Sequence, residues 1–349
     1  MQKLGLRALI VNLASILMLA APVAARADTS FYNGKTITYI VGTKPGGGYD
    51  TYARLIAKHM ERHLPDTQIL VENVPGAGHI IAANRLYAAK PDGLTIGTFN
   101  TGLIYAQLLG LEGVRFDLRN FSWIGHAASD PRVLVVGSET GIHSIAELRA
   151  AGAPVLFGTT GVGSASHNDT ALLAAVLGLN LQLIPGYSGE EMQLAIMRGE
   201  IQGLVGSFSS VTDFVGDGYG RIITRVGGGR VQELAGIPEA AEFAVDVGAK
   251  GGIIDVIRAN AEIGRLTAAP PGTPDERLQP LILAYRSALE DPALLEEAAK
   301  LDRPIEPAYG PEVARQIRAA LDLPETVVEE LRAAIGCGAD ADKACEIAD

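Results

Sequence analysis

Three short glycine-rich segments carry the residues whose types and spacing point most clearly to chemistry. Each follows an apolar run and precedes a helical pattern; in chain order they are the first (44–50), second (75–79) and third (158–164) glycine-rich loops. Glycine in such a loop lets backbone N–H groups approach a ligand, because no Cβ is in the way. The N-terminus of the helix that follows adds roughly half a positive charge, which favours an anion.

The combination of these loops is more informative than any one of them. A single loop of this kind is well explained as a tight turn between a strand and a helix. Two of them, however, lie in the first half of the chain and the third lies in the second α/β half. Open α/β sheets bind ligands beyond the carboxyl ends of their strands. We therefore predict that the loops face one another and clamp an anion between two domains.

Motifs for catalysis or nucleotide binding are missing from the sequence. No loop has the P-loop or dinucleotide-binding pattern of glycines. The segment 186–189 has the wrong spacing for the nucleophile elbow of a hydrolase. Ser164 and His167 are too close in sequence to indicate a catalytic triad, and we interpret Ser164 as a helix cap or a ligand-binding hydroxyl. The sequence thus predicts a protein that is not an enzyme and uses no cofactor.

Two further polar positions lie on the helix predicted for residues 50–63. His59 and His63 are four residues apart, a spacing that could hold a metal ion. No Glu-x-x-His framework surrounds them, so we predict a solvated helix face and no metal site. Asp50 opens the same helix, where a carboxylate is favourable. That role is compatible with a position beside the ligand.

The elements that must position these residues alternate between strands and helices. This rhythm predicts an α/β fold with mostly parallel sheets and right-handed crossovers. An extended stretch at 121–136 fits a segment that crosses between domains, and 227–264 gives no clear pattern. The predicted strands are 36–41, 68–71, 94–97, 134–136, 155–157, 181–184, 201–205 and 221–226; the predicted helices are 50–63, 80–89, 168–177, 190–198, 274–289, 292–301, 311–321 and 324–335.

Length and charge limit the class of protein. The 349 residues, 48% of them hydrophobic, predict two domains of α/β size rather than a disordered chain. The formal net charge of −11 provides no basic surface for nucleic acid, so we predict no nucleic-acid partner.

The first 27 residues have the features of a secretory signal peptide. Lys3 and Arg7 precede an apolar segment at 9–21, and Ala25-Arg26-Ala27 forms a cleavage site of the A-x-A type. A retained membrane anchor is the alternative, but the apolar segment is short for a span of about 20 residues. We predict cleavage after Ala27 and export to the periplasm, with no membrane-inserted segment afterwards.

Both cysteines, Cys337 and Cys345, lie close to the C-terminus. In an oxidising compartment, two nearby cysteines favour a disulfide over a metal site or a nucleophile, which would need His or carboxylate partners. We predict that the disulfide fixes the end of the chain, which would otherwise fray.

Five ordered motifs along the mature chain resemble those of a known family. They span 41–50, 71–78, 89–95, 161–167 and 269–274. The family is the extracytoplasmic solute-binding receptors of tripartite tricarboxylate transporters, also called Bug receptors. The resemblance implies a type II periplasmic binding protein fold, in which two lobes close on a ligand in the manner of a Venus flytrap. It also implies capture of a small organic carboxylate and delivery to membrane transporter subunits.

The resemblance further implies a domain division and a set of ligand-binding residues. Lobe 1 would comprise 28–131 and 250–349, and lobe 2 would comprise 132–249. Receptors of this type usually act as monomers, and we expect the same here. The implied ligand-binding residues are Gly46, Gly47, Gly48, Asp50, Thr98, Asn100, Thr159, Gly161, Gly163 and Ser164.

The sequence departs from the family pattern at several places, which leaves the ligand's identity open. Lys44 stands where the family usually has a small or apolar residue. Two interpretations are open: Lys44 pairs with a second charge on the ligand, or it is simply solvated. The segments 199–206 and 248–265 and the cysteine-bearing tail also differ. A receptor of the same fold that serves a sensor, and an enzyme on this fold, are the remaining alternatives.

Overall fold

The computed structural model describes residues 29–228, 231–245 and 247–336. The predicted signal peptide at 1–27, together with Cys337 and Cys345, lies outside these ranges, so cleavage after Ala27 and the disulfide stay predictions. The described chain forms two β-sheets flanked by helices, which confirms the predicted α/β class.

The strands divide into two sheets. The first has the order β11-β4-β10-β3-β1-β2 and the second has the order β7-β6-β8-β5-β9. The strands are β1 Thr36–Val41, β2 Gln68–Asn73, β3 Thr95–Phe99, β4 Ser122–Ala128, β5 Arg132–Gly137, β6 Val155–Thr159, β7 Leu181–Pro185, β8 Gly203–Ser207, β9 Gly220–Val226, β10 Gly264–Ala269 and β11 Ala308–Tyr309.

Parallel pairing holds where helices connect neighbouring strands and fails where the chain passes between sheets. β1 is parallel to β2 and β3, and β6 is parallel to β7 and β8. β4 and β10 are antiparallel to their neighbours in the first sheet, as β5 is in the second. β4 leads into β5, and β10 follows the return from the second sheet. Both sheets are therefore mixed rather than mostly parallel.

Helices cover both sheets. Each of the eight predicted helices lies within a few residues of an observed one, whereas the helices at Gly102–Leu108, Ile145–Arg149 and Thr212–Gly216 were not predicted. The helix Val247–Ala261 fills part of the segment 227–264 that gave no clear pattern, and β10 begins at the last residue of that segment. The helices are α1 Gly48–Met60, α2 Ile80–Tyr87, α3 Gly102–Leu108, α4 Ile145–Arg149, α5 Ala165–Leu177, α6 Gly189–Met197, α7 Thr212–Gly216, α8 Val247–Ala261, α9 Asp275–Leu289, α10 Pro292–Lys300, α11 Pro311–Leu321 and α12 Glu325–Ile335.

Local sequence signals explain where several helices begin and end. Ser188 and Glu191 form a reciprocal capping box at the start of α6, which satisfies two backbone donors. Pro292 and Pro311 begin α10 and α11, where a missing N–H has no cost. Gly178 ends α5 in the left-handed region with φ 62°, a conformation that favours glycine.

The hydrophobic core is continuous from one sheet to the other. One buried cluster joins Phe99 and Leu103 near the first sheet to Leu134 and Leu172 near the second. α5 packs against α3, and also against α8 and α12. Those last two helices fall within 250–349 for the most part, the segment predicted for lobe 1, yet they contact the helix of the second sheet. The residue bounds of the lobes stay a prediction.

Two connections run side by side where the chain passes between the sheets. The backbone N–H of Asp130, between β4 and β5, donates to the carbonyl of Ala261 at the end of α8, at 2.9 Å. The extended stretch predicted at 121–136 is thus confirmed as β4 and β5 with a short link. Over the ranges that the structure describes, none of the helices has both the length and the apolarity needed to cross a bilayer.

Candidate functional site

A cavity of about 1020 Å³ lies between the two sheets and is lined by all three glycine-rich loops. These loops leave the carboxyl ends of β1, β2 and β6 and lead to α1, α2 and α5, the place where α/β sheets bind ligands. The predicted site residues that line it are Lys44, Gly47, Gly48, Asn100, Gly161 and Gly163. The others, Gly46, Asp50, Thr98, Thr159 and Ser164, lie outside that lining.

Asp50 holds the first loop in place from the side away from the cavity. Its side chain is only 6% exposed. It accepts hydrogen bonds from the backbone N–H of Gly46, Nε of Arg54 and Nδ2 of Asn73, each at 2.9 Å. Burial works to raise the pKa of Asp50, but the bonds from Arg54 and Gly46 outweigh it and lower that pKa. Asp50 and Gly46 therefore shape the loop, and the Gly46 N–H is already used.

Ser164 performs a similar task in the third loop without a charge. Its Oγ accepts from the backbone N–H of His167 at 3.3 Å and donates to the carbonyl of Gly161 at 2.6 Å. This arrangement caps α5 and fixes the backbone of Gly161 in the third loop. Thr159 is fully buried in β6, and its neighbour Thr160 lines the cavity instead. The helix-cap interpretation of Ser164 thus agrees with the geometry.

His79 ends the second loop as a buried, neutral side chain. It adopts a left-handed backbone conformation with φ 81°. Burial lowers the pKa of His79 to about 3, and the charge of Arg265 adds to this effect. Its Nδ1 accepts the backbone N–H of Asn100 at 3.4 Å, and its ring meets the Tyr49 ring edge-on. His79 therefore orders the cavity wall without adding a charge to it.

Two glycines mark where the parts on either side of the cavity touch backbone to backbone. A Cβ on Gly78 would lie 2.7 Å from the backbone N of Ser164, and one on Gly102 would lie 2.6 Å from the backbone N of Ala165. Real Cβ atoms do not approach backbone so closely. Any larger residue at Gly78 or Gly102 would push the second loop or α3 away from α5.

Lys44 lines the mouth of the cavity and has a protein partner across it. Its Nζ lies 3.6 Å from Oε2 of Glu191, at the start of α6. The Lys44 side chain is 56% exposed, so this ion pair is well solvated. A pairing of Lys44 with a second charge on the ligand stays a prediction.

Two buried arginines, Arg132 and Arg265, also line the cavity, and neither was predicted from the sequence. They are 7% and 3% exposed. Arg132 begins β5 and Arg265 lies at the start of β10. Each is a charged residue next to a buried apolar strand, which is the only sequence signal that could have indicated them. No glycine-rich motif or local spacing points to either position.

The prediction of a solvated histidine face on α1 is wrong for His59. This side chain is 1% exposed. Its two ring nitrogens each lie 3.2 Å from a carboxylate, of Asp291 and of Glu297 respectively. α10 covers this part of α1. The sequence of α1 alone could not indicate that another helix packs over His59. Within the ranges 29–228, 231–245 and 247–336, no group of three or more metal-ligating side chains could hold an ion.

Comparison with known sequences places the chain in a family. The model of a family described as the tripartite tricarboxylate transporter family receptor matches residues 52–330. A UPF0065 protein of Bordetella pertussis is 29% identical over 302 residues, which cover 82% of this chain and 86% of the relative.

Solved structures share the fold. The periplasmic binding protein BugD superposes with a TM-score of 0.72 at 22% identity, covering 87% of this chain and 99% of that one. MatC from Rhodopseudomonas palustris, solved with bound malate, gives a TM-score of 0.70 at 23% identity, covering 84% and 99%. These similarities confirm the two-lobed periplasmic binding protein fold.

Proposed function

We propose that this chain, which belongs to the family of tripartite tricarboxylate transporter receptors, captures a small organic carboxylate between its two lobes. The observation that carries the proposal is the convergence of three glycine-rich loops, from both sheets, on one cavity. The first N–H groups of a helix have no acceptor within the helix, so those at the starts of α1 and α5 are suited to carboxylate oxygens.

Binding would favour the closed arrangement of the lobes. A ligand that contacts both lobes only when they are closed shifts the population toward that state. The direct contacts at Gly78 and Gly102 support such a closed state, because the second loop and α3 meet the N-terminus of α5 there. The net charge of −11 is no obstacle, since local N–H groups and arginines determine the field inside the cavity.

The proposal includes the protein's place in the cell. The chain would be exported, cleaved after Ala27, and act in the periplasm as a monomer that delivers the acid to membrane transporter subunits. The family assignment supports this role, and the malate bound to MatC supports an organic acid as ligand. The ligand would leave chemically unchanged, as expected of a receptor rather than an enzyme.

A thermal-shift screen of the chain from Asp28 onward tests the proposal. The panel contains mono-, di- and tricarboxylates with aliphatic, hydroxy, amino and aromatic groups, and neutral sugars and amides as controls. A ligand at about 100 times its dissociation constant adds roughly 2.7 kcal/mol to the free energy of unfolding. We expect at least one acid to raise the melting temperature and to be recovered unaltered. Shifts with sugars or amides alone, or chemical turnover of the acid, would overturn the proposal.

A matched variant links the shift to the cavity. Gly47 lines the cavity, and a Cβ there would meet no atom within 4 Å. Gly47→Val should therefore fill ligand space at little cost to folding and remove the acid-dependent shift. Gly34→Ala, in an open turn away from the cavity, should keep it.

A further inference from the structure

Arg265 lines the cavity, and its ion pair with Asp130 engages only part of its guanidinium group. Its Nη2 donates to Oδ2 of Asp130 at 3.1 Å, while its buried Nε has no hydrogen-bond partner among the residues that the structure describes. Its guanidinium carbon lies 4.3 Å from the ring centroid of Tyr49 and 4.9 Å from that of Tyr52. The guanidinium thus lies close to two aromatic rings, and its ion pair with Asp130 does not use all of its N–H donors.

The backbone of Arg265 is strained to achieve this position. Its φ is 62°, in the left-handed region that non-glycine residues rarely adopt. Strain of this kind is found mostly at functional sites. Gly48, at the start of α1, is a neighbour of this guanidinium, since a Cβ there would lie 3.5 Å from Nη2 of Arg265. The guanidinium therefore lies directly beside the first glycine-rich loop.

Arg132 brings a second guanidinium to the same cavity from the other sheet. Its Nε lies 2.8 Å from Oδ2 of Asp169 in α5, and it donates to the hydroxyls of Ser207 and Thr101. Thr101 precedes α3, so Arg132 contacts elements on both sides of the cavity. Each guanidinium has five N–H donors, and these protein acceptors do not use all of them.

The charges around the pair keep both arginines protonated. Burial opposes the charge of Arg265, but Tyr49 and Asp130 hold its pKa above the usual arginine value. Asp130 is itself engaged by the backbone N–H and hydroxyl of Ser209. The aspartate therefore balances the charge of Arg265 while sharing its oxygens with other donors.

We propose that Arg132 and Arg265 bind the second carboxylate of a dicarboxylate ligand, whose first carboxylate is held by the glycine-rich loops. The inference rests on the proposed function and goes beyond it by assigning the residues that distinguish diacids from monoacids. Guanidinium groups suit this task, because their planar donors match a carboxylate in a two-bond geometry. The neutral His79 beside them adds no competing charge.

Calorimetric titration with matched acids tests this assignment. The probes are straight-chain diacids from succinate to adipate, each paired with the monoacid of the same chain length. We expect the unmodified protein to bind at least one diacid about 100-fold more tightly than its monoacid, a difference of about 2.7 kcal/mol, because the second carboxylate forms charge-assisted hydrogen bonds with the arginines. Arg265→Gln and Arg132→Gln should each reduce diacid affinity by about 10-fold or more and leave monoacid affinity nearly unchanged.

Control variants and separate outcomes make the test decisive. Arg286→Gln, an exposed arginine on α9, should bind every probe as the unmodified protein does. Circular dichroism checks that each variant folds; if Arg265→Gln does not, the diacid-to-monoacid ratio of the unmodified protein and the Arg132→Gln variant still decide. Equal affinity for matched mono- and diacids would overturn the arginine assignment and leave the proposed function standing. Binding of no acid at all, by the panel above, would overturn the proposed function itself.

Discussion

The glycine-rich loops and the arginine pair line the same cavity but offer an anion two different kinds of donor. The loops present backbone N–H groups at helix N-termini, which carry partial charges and need no counter-ion. Arg132 and Arg265 present full charges and therefore require Asp169 and Asp130 beside them. The loops depend on close backbone packing, whereas the arginines depend on ion pairs. Substitutions should affect the two surfaces in different ways.

The largest effect should come from breaking the backbone contact between the lobes. Gly78→Val places a Cβ 2.7 Å from the backbone N of Ser164, so closure would require the backbone to move. Overpacking of this kind costs about 1–3 kcal/mol, and we expect affinity for the best acid to fall by about 100-fold. Titration calorimetry measures the loss.

The control for this substitution separates the clash from backbone strain. Gly78 and Gly34 both have a positive φ, of 58° and 68°, but a Cβ on Gly34 would meet nothing within 4 Å. Gly34→Val should therefore share the strain and keep the affinity. If both variants bind equally well, the two lobes do not have to meet at Gly78.

A smaller effect should follow from removing the anchors of the loops. Asp50→Ala removes an ionised, buried acceptor of three hydrogen bonds, whereas Ser164→Ala removes a neutral cap. We expect Asp50→Ala to lower the free energy of unfolding by about 1.5–3 kcal/mol and Ser164→Ala by about 1 kcal/mol. Urea unfolding of both variants provides the comparison, and an equal cost would show that the charge of Asp50 contributes nothing.

The loops were predictable from sequence because their signals are local. Clustered glycines followed by a helical pattern identify such a loop from a few neighbouring residues. The structure places all three loops at one cavity. Which residue of a loop faces the cavity was not predictable. Asp50 and Ser164 turn away because their oxygens satisfy backbone donors that only the folded loop creates.

The burial of His59 and the position of the two arginines at the cavity were not predicted, because the residues around them come from distant segments of the chain. Arg265 meets Asp130 and Tyr49, which are more than a hundred residues away in sequence. His59 is covered by α10, whose sequence says nothing about α1. The antiparallel pairing of β4, β5 and β10 likewise follows from the passage of the chain between the sheets. The sequence pattern of a single strand does not indicate which strand it pairs with or in which direction.

His79, which ends the second glycine-rich loop, should make the free energy of unfolding depend on pH, whereas the two arginines stay charged at low pH. The pKa of His79 is about 3 in the folded protein, against roughly 6.5 in an unfolded chain. Between these values the unfolded chain binds the extra proton, so the free energy of unfolding falls as pH decreases from 6.5 toward 3. The slope from this one group is at most about 1.4 kcal/mol per pH unit.

A histidine substitution isolates that contribution. Urea unfolding at pH 7 and pH 5 should show a smaller loss of stability for His79→Gln than for the unmodified protein. His143→Gln, at an exposed position, is the matched control and should keep the full pH dependence. Identical pH dependence in all three proteins would mean that His79 is not held neutral in the folded state.

The smallest effect should come from Lys44, an exposed residue at the start of the first glycine-rich loop. Its solvated pair with Glu191 is expected to contribute about 0–1 kcal/mol, so Lys44→Gln should change acid affinity by less than about fivefold. Titrations at low and high salt provide the measurement. A loss as large as that of Arg265→Gln, limited to diacids, would instead assign Lys44 to the second charge of the ligand.

The most direct test of anion recognition in the cavity is a titration of the unmodified protein with one acid and its uncharged amide. The acid is the one that gives the largest thermal shift, and the amide has the same shape without the charge. Loops and arginines that are built for an anion should bind the acid at least about 100-fold more tightly, a difference of about 2.7 kcal/mol. Equal affinity for the acid and its amide would show that neither the loops nor the arginines recognise the negative charge. That result would contradict the assignment of this cavity to a carboxylate.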